Sequence, residues 1–172
     1  GLRIIDVSDP SNPTLIETFD TSGSPRSVTL SADGNTAYVA DEVSGLQIID
    51  VRDSSTPTLI GTLEISGAAR GVTLSSDGNT AYVADGTSGL RIIDVSNPNT
   101  PTLTGTLAIS AGYASGVTLS ADGNTAYVAD GTSGLRIIDV SDPSNPTLIE
   151  TFDTSGSPRS VTLSADGNTA YV

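Results

Sequence analysis

The residues best suited to chemistry in this chain are its arginines, and six of the seven fall in two regularly spaced registers. Arg26, Arg70 and Arg159 make one, with Ser115 in the fourth place; Arg3, Arg91 and Arg136 make the other, with Gln47 in the fourth place. A guanidinium offers paired planar donors, so several converging on one point suit a carboxylate or phosphate. Acids recur alongside them. Asp41, Asp85 and Asp130 each open a short loop, while Asp6, Asp50, Asp94 and Asp139 each close an apolar run. Tyr38, Tyr82, Tyr127 and Tyr171 recur in the same way, and Tyr113 alone stands outside that pattern.

The missing residue types restrict the chemistry further. There is no His, Cys or Lys, which removes the common general bases, the thiol nucleophile, the Schiff-base amine and any Ser-His-Asp triad. Only a carboxylate pair is left for acid–base work, as in glycoside hydrolysis. The acids, however, repeat along the chain, whereas a catalytic centre breaks symmetry at one place. The expectation is a protein that is not an enzyme and carries no cofactor. A net charge of −13 argues against nucleic acid or an anionic membrane as partner, since both need cationic footprints. No 18-residue apolar run is present, so this segment inserts no membrane-spanning helix. A start at Gly1 and a stop at Val172 suggest an excerpt of a longer polypeptide, with any signal or anchor outside it.

The elements that hold these residues come from a repeat. Gly-Leu-Arg/Gln-Ile-Ile-Asp-Val begins at Gly1, Gly45, Gly89 and Gly134, spacings of 44, 44 and 45 residues, and residues 1–39 recur unchanged as 134–172. Such identity means recent duplication or deliberate construction. Within a repeat, Arg26–Leu30 alternates polar and apolar, and Asp33-Gly34 gives a hairpin signal. Thr36–Ala40 is the return strand. Leu46–Val51 is the most apolar strand, and the Pro-bearing loop 52–57 leads to Thr58–Ile65. No 3.6-residue apolar period lasts two turns.

Four antiparallel strands in about 44 residues make one propeller blade. The fold class is therefore all-β, a β-propeller of about four blades' worth. Complete blades are expected near 24–66, 67–110 and 111–154, with strands named a to d from the axis outward. Residues 1–22 supply strands c and d, and 155–172 supply strands a and b, of a shared or incomplete blade. Either these two pieces pair and close a four-bladed ring, or the chain is an open arc with two exposed apolar faces that invite self-association.

The runs Leu2-Arg-Ile-Ile-Asp-Val-Ser-Asp-Pro10 and Ala81-Tyr-Val-Ala-Asp-Gly-Thr-Ser-Gly-Leu90 resemble the LVIVD repeat, and Ser75–Thr80 with Ala81–Ala84 is similar to YVTN-type blades. Gln47, Arg52 and an inserted residue near Gly112-Tyr113 are the visible departures. The resemblance covers the whole chain and implies a propeller of the bacterial or archaeal cell-surface or secreted type. It brings no catalytic residue.

In such a fold Arg26, Arg70, Ser115 and Arg159 open the innermost strands at the mouth of the axial channel, where Tyr113 and Asp130 also belong. This is the candidate ligand site, facing a protein or glycan. The alternative is structural. If the Asp33-Gly34 turn is symmetric, residues summing to 67 face each other, pairing Arg26 with Asp41, Arg70 with Asp85 and Ser115 with Asp130. Asp85–Ser88 and Asp130–Ser133 gather oxygens that suit turn hydrogen bonds. Structural Ca²⁺ is the one metal they leave open, although no Ca²⁺-loop spacing is present. Asp6, Asp50, Asp94 and Asp139 suit capping of the following loop, and the recurrent tyrosines suit packing between blades.

Overall fold

A computed structural model describes residues 1–109 and 112–172. Among them the chain forms sixteen strands and no helix. β1 (Leu2–Asp6) and β2 (Thr14–Phe19) make a two-stranded sheet. Three four-stranded antiparallel meanders follow. The first is β3 (Pro25–Leu30), β4 (Thr36–Asp41), β5 (Gly45–Asp50) and β6 (Thr58–Leu63). The second is β7 (Ala69–Leu74), β8 (Thr80–Asp85), β9 (Leu90–Asp94) and β10 (Thr102–Leu107). The third is β11 (Ala114–Leu119), β12 (Thr125–Asp130), β13 (Gly134–Asp139) and β14 (Thr147–Phe152). β15 (Thr162–Leu163) and β16 (Ala170–Tyr171) end the chain as a second two-stranded sheet.

The expected strands form with small shifts at their ends: β5 stops at Asp50 rather than Val51, and β6 at Leu63 rather than Ile65. β16 pairs with β15 and β1 with β2, and no ladder joins the two pairs. The chain is thus an open arc, with an incomplete blade at each end. The inserted residue expected near Gly112-Tyr113 borders Ser110 and Ala111, which lie outside the described residues.

Each a–b hairpin is built the same way. Ser31 Oγ donates to Asp33 at 2.5 Å, the Asn35 N–H donates to the same carboxylate at 3.1 Å, and the Thr36 N–H donates to Ser31 Oγ at 3.0 Å. Gly34 takes φ +72°, a left-handed conformation that glycine adopts without steric cost. These contacts hold the Asp33 carboxyl below its ordinary value of 3.8, the Ser31 hydroxyl bond being the largest cause. Asp77, Asp122 and Asp166 repeat the arrangement and the direction of shift.

The core lies between blades. Tyr38, Ala40, Leu46 and Ile48 of one sheet meet Ala69, Val72, Ala81, Val83, Ile93 and Val95 of the next. Tyr82, Leu90 and Ile92 meet Ala126, Val128, Ile138 and Val140 in the same register. Flat apolar faces need close approach, and two outer-strand glycines supply it. A Cβ on Gly61 would overlap the Pro98 carbonyl of the neighbouring blade, and one on Gly105 would overlap that of Pro143. Because the obstacle is backbone, Gly61→Ala is expected to cost about 1–3 kcal/mol by overpacking. Urea unfolding should show a lowered midpoint with an unchanged slope.

Acidification should have a defined sign. The turn aspartates Asp33, Asp77, Asp122 and Asp166 titrate lower in the folded protein than in the unfolded chain. Their stabilisation is therefore present above about pH 4 and is lost as pH falls through the depressed folded values. Thermal midpoints measured from pH 7 to pH 2 should fall steeply only below about pH 4.

Candidate functional site

The innermost strands of three blades and the stretch 159–161 surround one cavity of about 250 Å³. Arg26, Arg70, Ser115 and Arg159 all line it. A second hollow of about 260 Å³ lies beside it, lined by Arg70, Tyr113, Ser115, Thr132, Pro158 and Arg159. The first arginine register thus converges on the axis of the arc. The second register points elsewhere: Arg91 and Arg136 turn onto Asp85 and Asp130.

The cross-strand pairing expected from a symmetric turn does not form. Near the turn the register does sum to 67, with Leu30 opposite Ala37 and Val28 opposite Val39. Between Pro25 and Ser27 it shifts, so Pro25 faces Asp41 and Arg26 becomes the extra residue of a β-bulge. The same shift sets Ala69 opposite Asp85 and Ala114 opposite Asp130, leaving Arg70 and Ser115 bulged. A bulge re-aims the side chain it carries. The predicted pairs Arg26–Asp41, Arg70–Asp85 and Ser115–Asp130 are therefore corrected.

Glu42 replaces them. Its carboxylate accepts from Arg26 at 2.9 Å and from Arg70, in the next blade, at 2.6 Å. The Arg26 bond is the main reason that Glu42 titrates below its ordinary value and Arg26 above its own. Arg70 also donates to the Tyr113 hydroxyl at 3.0 Å, with its guanidinium carbon 4.6 Å from that ring's centroid. Arg26, Glu42, Arg70 and Tyr113 therefore run across all three complete blades. No ion pair engages Arg159 among the described residues, and its residue is exposed. Three arginines against one glutamate leave this rim cationic on a protein of net charge −13.

Asp130 does not face either hollow. It is fully buried, accepting the Tyr113 N–H at 2.5 Å and Arg136 at 2.6 Å. Asp41 accepts the Ser24 N–H at 2.6 Å, and Asp85 binds Arg91 at 3.0 Å and lies against Gly67. Each carboxylate thus ties strand b to the loop that enters the same blade. A Cβ on Gly23, Gly67 or Gly112 would overlap the carboxylate, which explains glycine there. Burial is the largest influence on both Asp85 and Asp130 and pushes each upward. At Asp130 the Tyr113 and Arg136 bonds reverse it, so the net shift is down. At Asp85 the Arg91 bond is longer and one carboxylate oxygen has no partner, so the net shift is up.

The remaining sequence candidates are structural in placement. Asp6, Asp50, Asp94 and Asp139 accept the backbone N–H two residues on, at 2.8, 3.0, 2.9 and 2.9 Å. Tyr38 and Tyr82 are buried between blades, Tyr127 is half-buried, and Tyr171 is exposed at the open end. Among the described residues no group of three or more acidic side chains is placed to hold a metal. Asp130 is taken up by Arg136 and the Tyr113 N–H, and Asp85 by Arg91 through one oxygen while its other oxygen has no partner. Glu42 is the site residue that sequence reasoning missed. Its signal was present: Asp41-Glu-Val-Ser stands where two other repeats read Asp-Gly-Thr-Ser.

Removing one partner of a buried pair leaves a buried charge uncompensated. Asp130→Ala is expected to cost about 3–5 kcal/mol, whereas Arg26→Ala, at a half-exposed pair, should leave the melting temperature nearly unmoved. Differential scanning calorimetry of the two variants checks the contrast.

A profile of the LVIVD repeat matches residues 1–21, 22–64, 66–108 and 111–154. No curated protein matches the chain. Among solved structures, a protein from Lactobacillus plantarum aligns with a TM-score of 0.84 at 22% identity, over 98% of this chain and 56% of that one. A functionally unknown protein from Desulfotomaculum acetoxidans aligns at 0.77 and 23% identity, over 97% and 54%. The periplasmic gluconolactonase of Pseudomonas aeruginosa aligns at 0.77 and 19% identity, over 95% and 55%. The chain spans about half the length of these structures, and the likeness is one of fold.

Proposed function

The chain belongs to the LVIVD-repeat family, and from that premise we propose that it is a non-enzymatic interaction module of a secreted or cell-surface protein, holding a carboxylate-bearing stretch of protein or glycan at the mouth of its axial channel. One observation carries this reading. The residues that break the repeat, Glu42, Tyr113 and Ser115, meet the repeated arginines on a single rim. An unbroken repeat would present the same groups in every blade. Here they differ from blade to blade, as a surface fitted to one partner requires. Arg70 is fixed by Glu42 and Tyr113, so little side-chain freedom is lost when a ligand docks. Arg159 supplies the opposing charge.

The fold is shared with a gluconolactonase, but a fold does not carry an activity. The side chains argue against turnover: the chain lacks His, Cys and Lys. Its buried acids Asp41, Asp85 and Asp130 are engaged by backbone or arginine. A purely architectural spacer is the second reading, favoured by the unchanged recurrence of residues 1–39 as 134–172.

Isothermal titration with polygalacturonate and with polyglutamate tests the proposal. At least one should bind, more weakly as salt is raised. Arg70→Ala and Arg159→Ala should each weaken it about tenfold, corresponding to about 1.4 kcal/mol. Binding by neither polymer favours the spacer. Binding that survives the double variant places the ligand elsewhere. Hydrolysis of gluconolactone that is lost in Arg70→Ala would establish the enzyme instead.

A further inference from the structure

Among the described residues five polar residues are buried, and three of them, Thr21, Asp41 and Gln47, belong to the first complete blade and the loop that enters it. The other two, Asp85 and Asp130, are the equivalents of Asp41 in the next blades. There the carboxylate has a cation beside it: Arg91 donates to Asp85 at 3.0 Å and Arg136 to Asp130 at 2.6 Å. The ladder sets that arginine opposite Val83 or Val128, two residues before the aspartate and so on the same face of the sheet. Gln47 takes this place in the first blade, opposite Val39.

The exchange removes a charge and adds oxygens. Asp41 stays fully buried, with one oxygen on the Ser24 N–H and the other without a hydrogen-bond partner. Asp130 divides its oxygens in the same way, one for the Tyr113 N–H and one for Arg136. The unpartnered oxygen of Asp41 is therefore the one that an arginine serves in the third blade. A second departure accompanies the first. Thr21 stands where the later entry loops carry Ile65 and Ile109, and its hydroxyl is also buried without a partner. Gln47 Nε2 donates to the Thr21 carbonyl at 2.7 Å, which ties the two departures to one place. Arg26 and Arg70 do not balance Asp41, because Glu42 holds both.

We propose that this cluster binds a sodium ion, which stands in for the missing guanidinium. A buried charge without a counter-charge is very costly. One carboxylate balances one positive charge, as it does in the neighbouring blades, and a divalent ion would leave a buried excess. The Asp41 oxygen, the Thr21 hydroxyl and the Gln47 amide oxygen form an all-oxygen donor set, which suits a hard cation. The ion would sit behind the contact between Asp41 and Ser24, next in sequence to Glu42, and so steady the loop from which Arg26 is aimed.

Thermal unfolding in sodium chloride and in choline chloride at equal ionic strength tests this, since both salts screen the acidic surface alike and choline is too large for a buried site. Sodium should raise the melting temperature by about 2–4 °C over choline. In Gln47→Arg the difference should vanish, with the midpoint in choline raised. That variant has partners ready, because Ser22 and Thr62 stand where Arg91 finds Ser66 and Thr106. Thr21→Ile, which restores the residue of the other loops, should shrink the sodium effect independently. Equal midpoints of the wild-type protein in the two salts, or a sodium effect undiminished in either variant, would overturn the proposal.

Discussion

A buried carboxylate at the end of the second strand organises each complete blade. Asp41, Asp85 and Asp130 are wholly removed from solvent, where an uncompensated charge would be very costly. Asp41 and Asp130 are instead met by backbone N–H groups of the loop that enters their own blade, at Ser24 and Tyr113, and Asp85 lies against Gly67 of the equivalent loop. That contact fixes where strand a begins, so it also fixes the bulge and the direction of the bulged side chain. The position of the rim arginines depends on it. Glycine at 23, 67 and 112 belongs to the same device, since any Cβ would occupy the space of the carboxylate.

The three clasps are not equal, and their differences track single substitutions. Arg91 and Arg136 complete the charge on Asp85 and Asp130. In the first blade Gln47 replaces that arginine and donates to the Thr21 carbonyl at 2.7 Å, so Asp41 has no arginine partner. The nearby rim differs too: Glu42, next to Asp41, gathers Arg26 and Arg70. Repetition supplies the framework, and departures from it supply individuality at the axis.

Much of the fold was legible because period and turn chemistry act locally. The 44-residue spacing, the two-residue alternation and the Asp-Gly turns placed every complete blade, and Asp6, Asp50, Asp94 and Asp139 were legible as caps for the same reason. The arginine partners were not legible. A symmetric hairpin is the simplest extrapolation from Asp33-Gly34, and it holds as far as Ser27. The bulge at Arg26 is imposed by a contact between Asp41 and a loop seventeen residues away in sequence, which a local pattern does not reveal. Glu42 was open to detection by comparing repeats, but its reach into the neighbouring blade depends on how blades stack. The choice between ring and arc depended on whether two distant strand pairs meet, which no periodicity encodes.

If buried carboxylates anchor the entry loops, amide hydrogen exchange at Ser24 and Tyr113 will show it. Both lie outside the strand ladders, yet they should exchange as slowly as interior strand amides, while the exposed turn amides of Ser8 and Ser96 exchange quickly. Exchange at Ser24 and Tyr113 as fast as at Ser8 would mean that the carboxylates do not hold these loops.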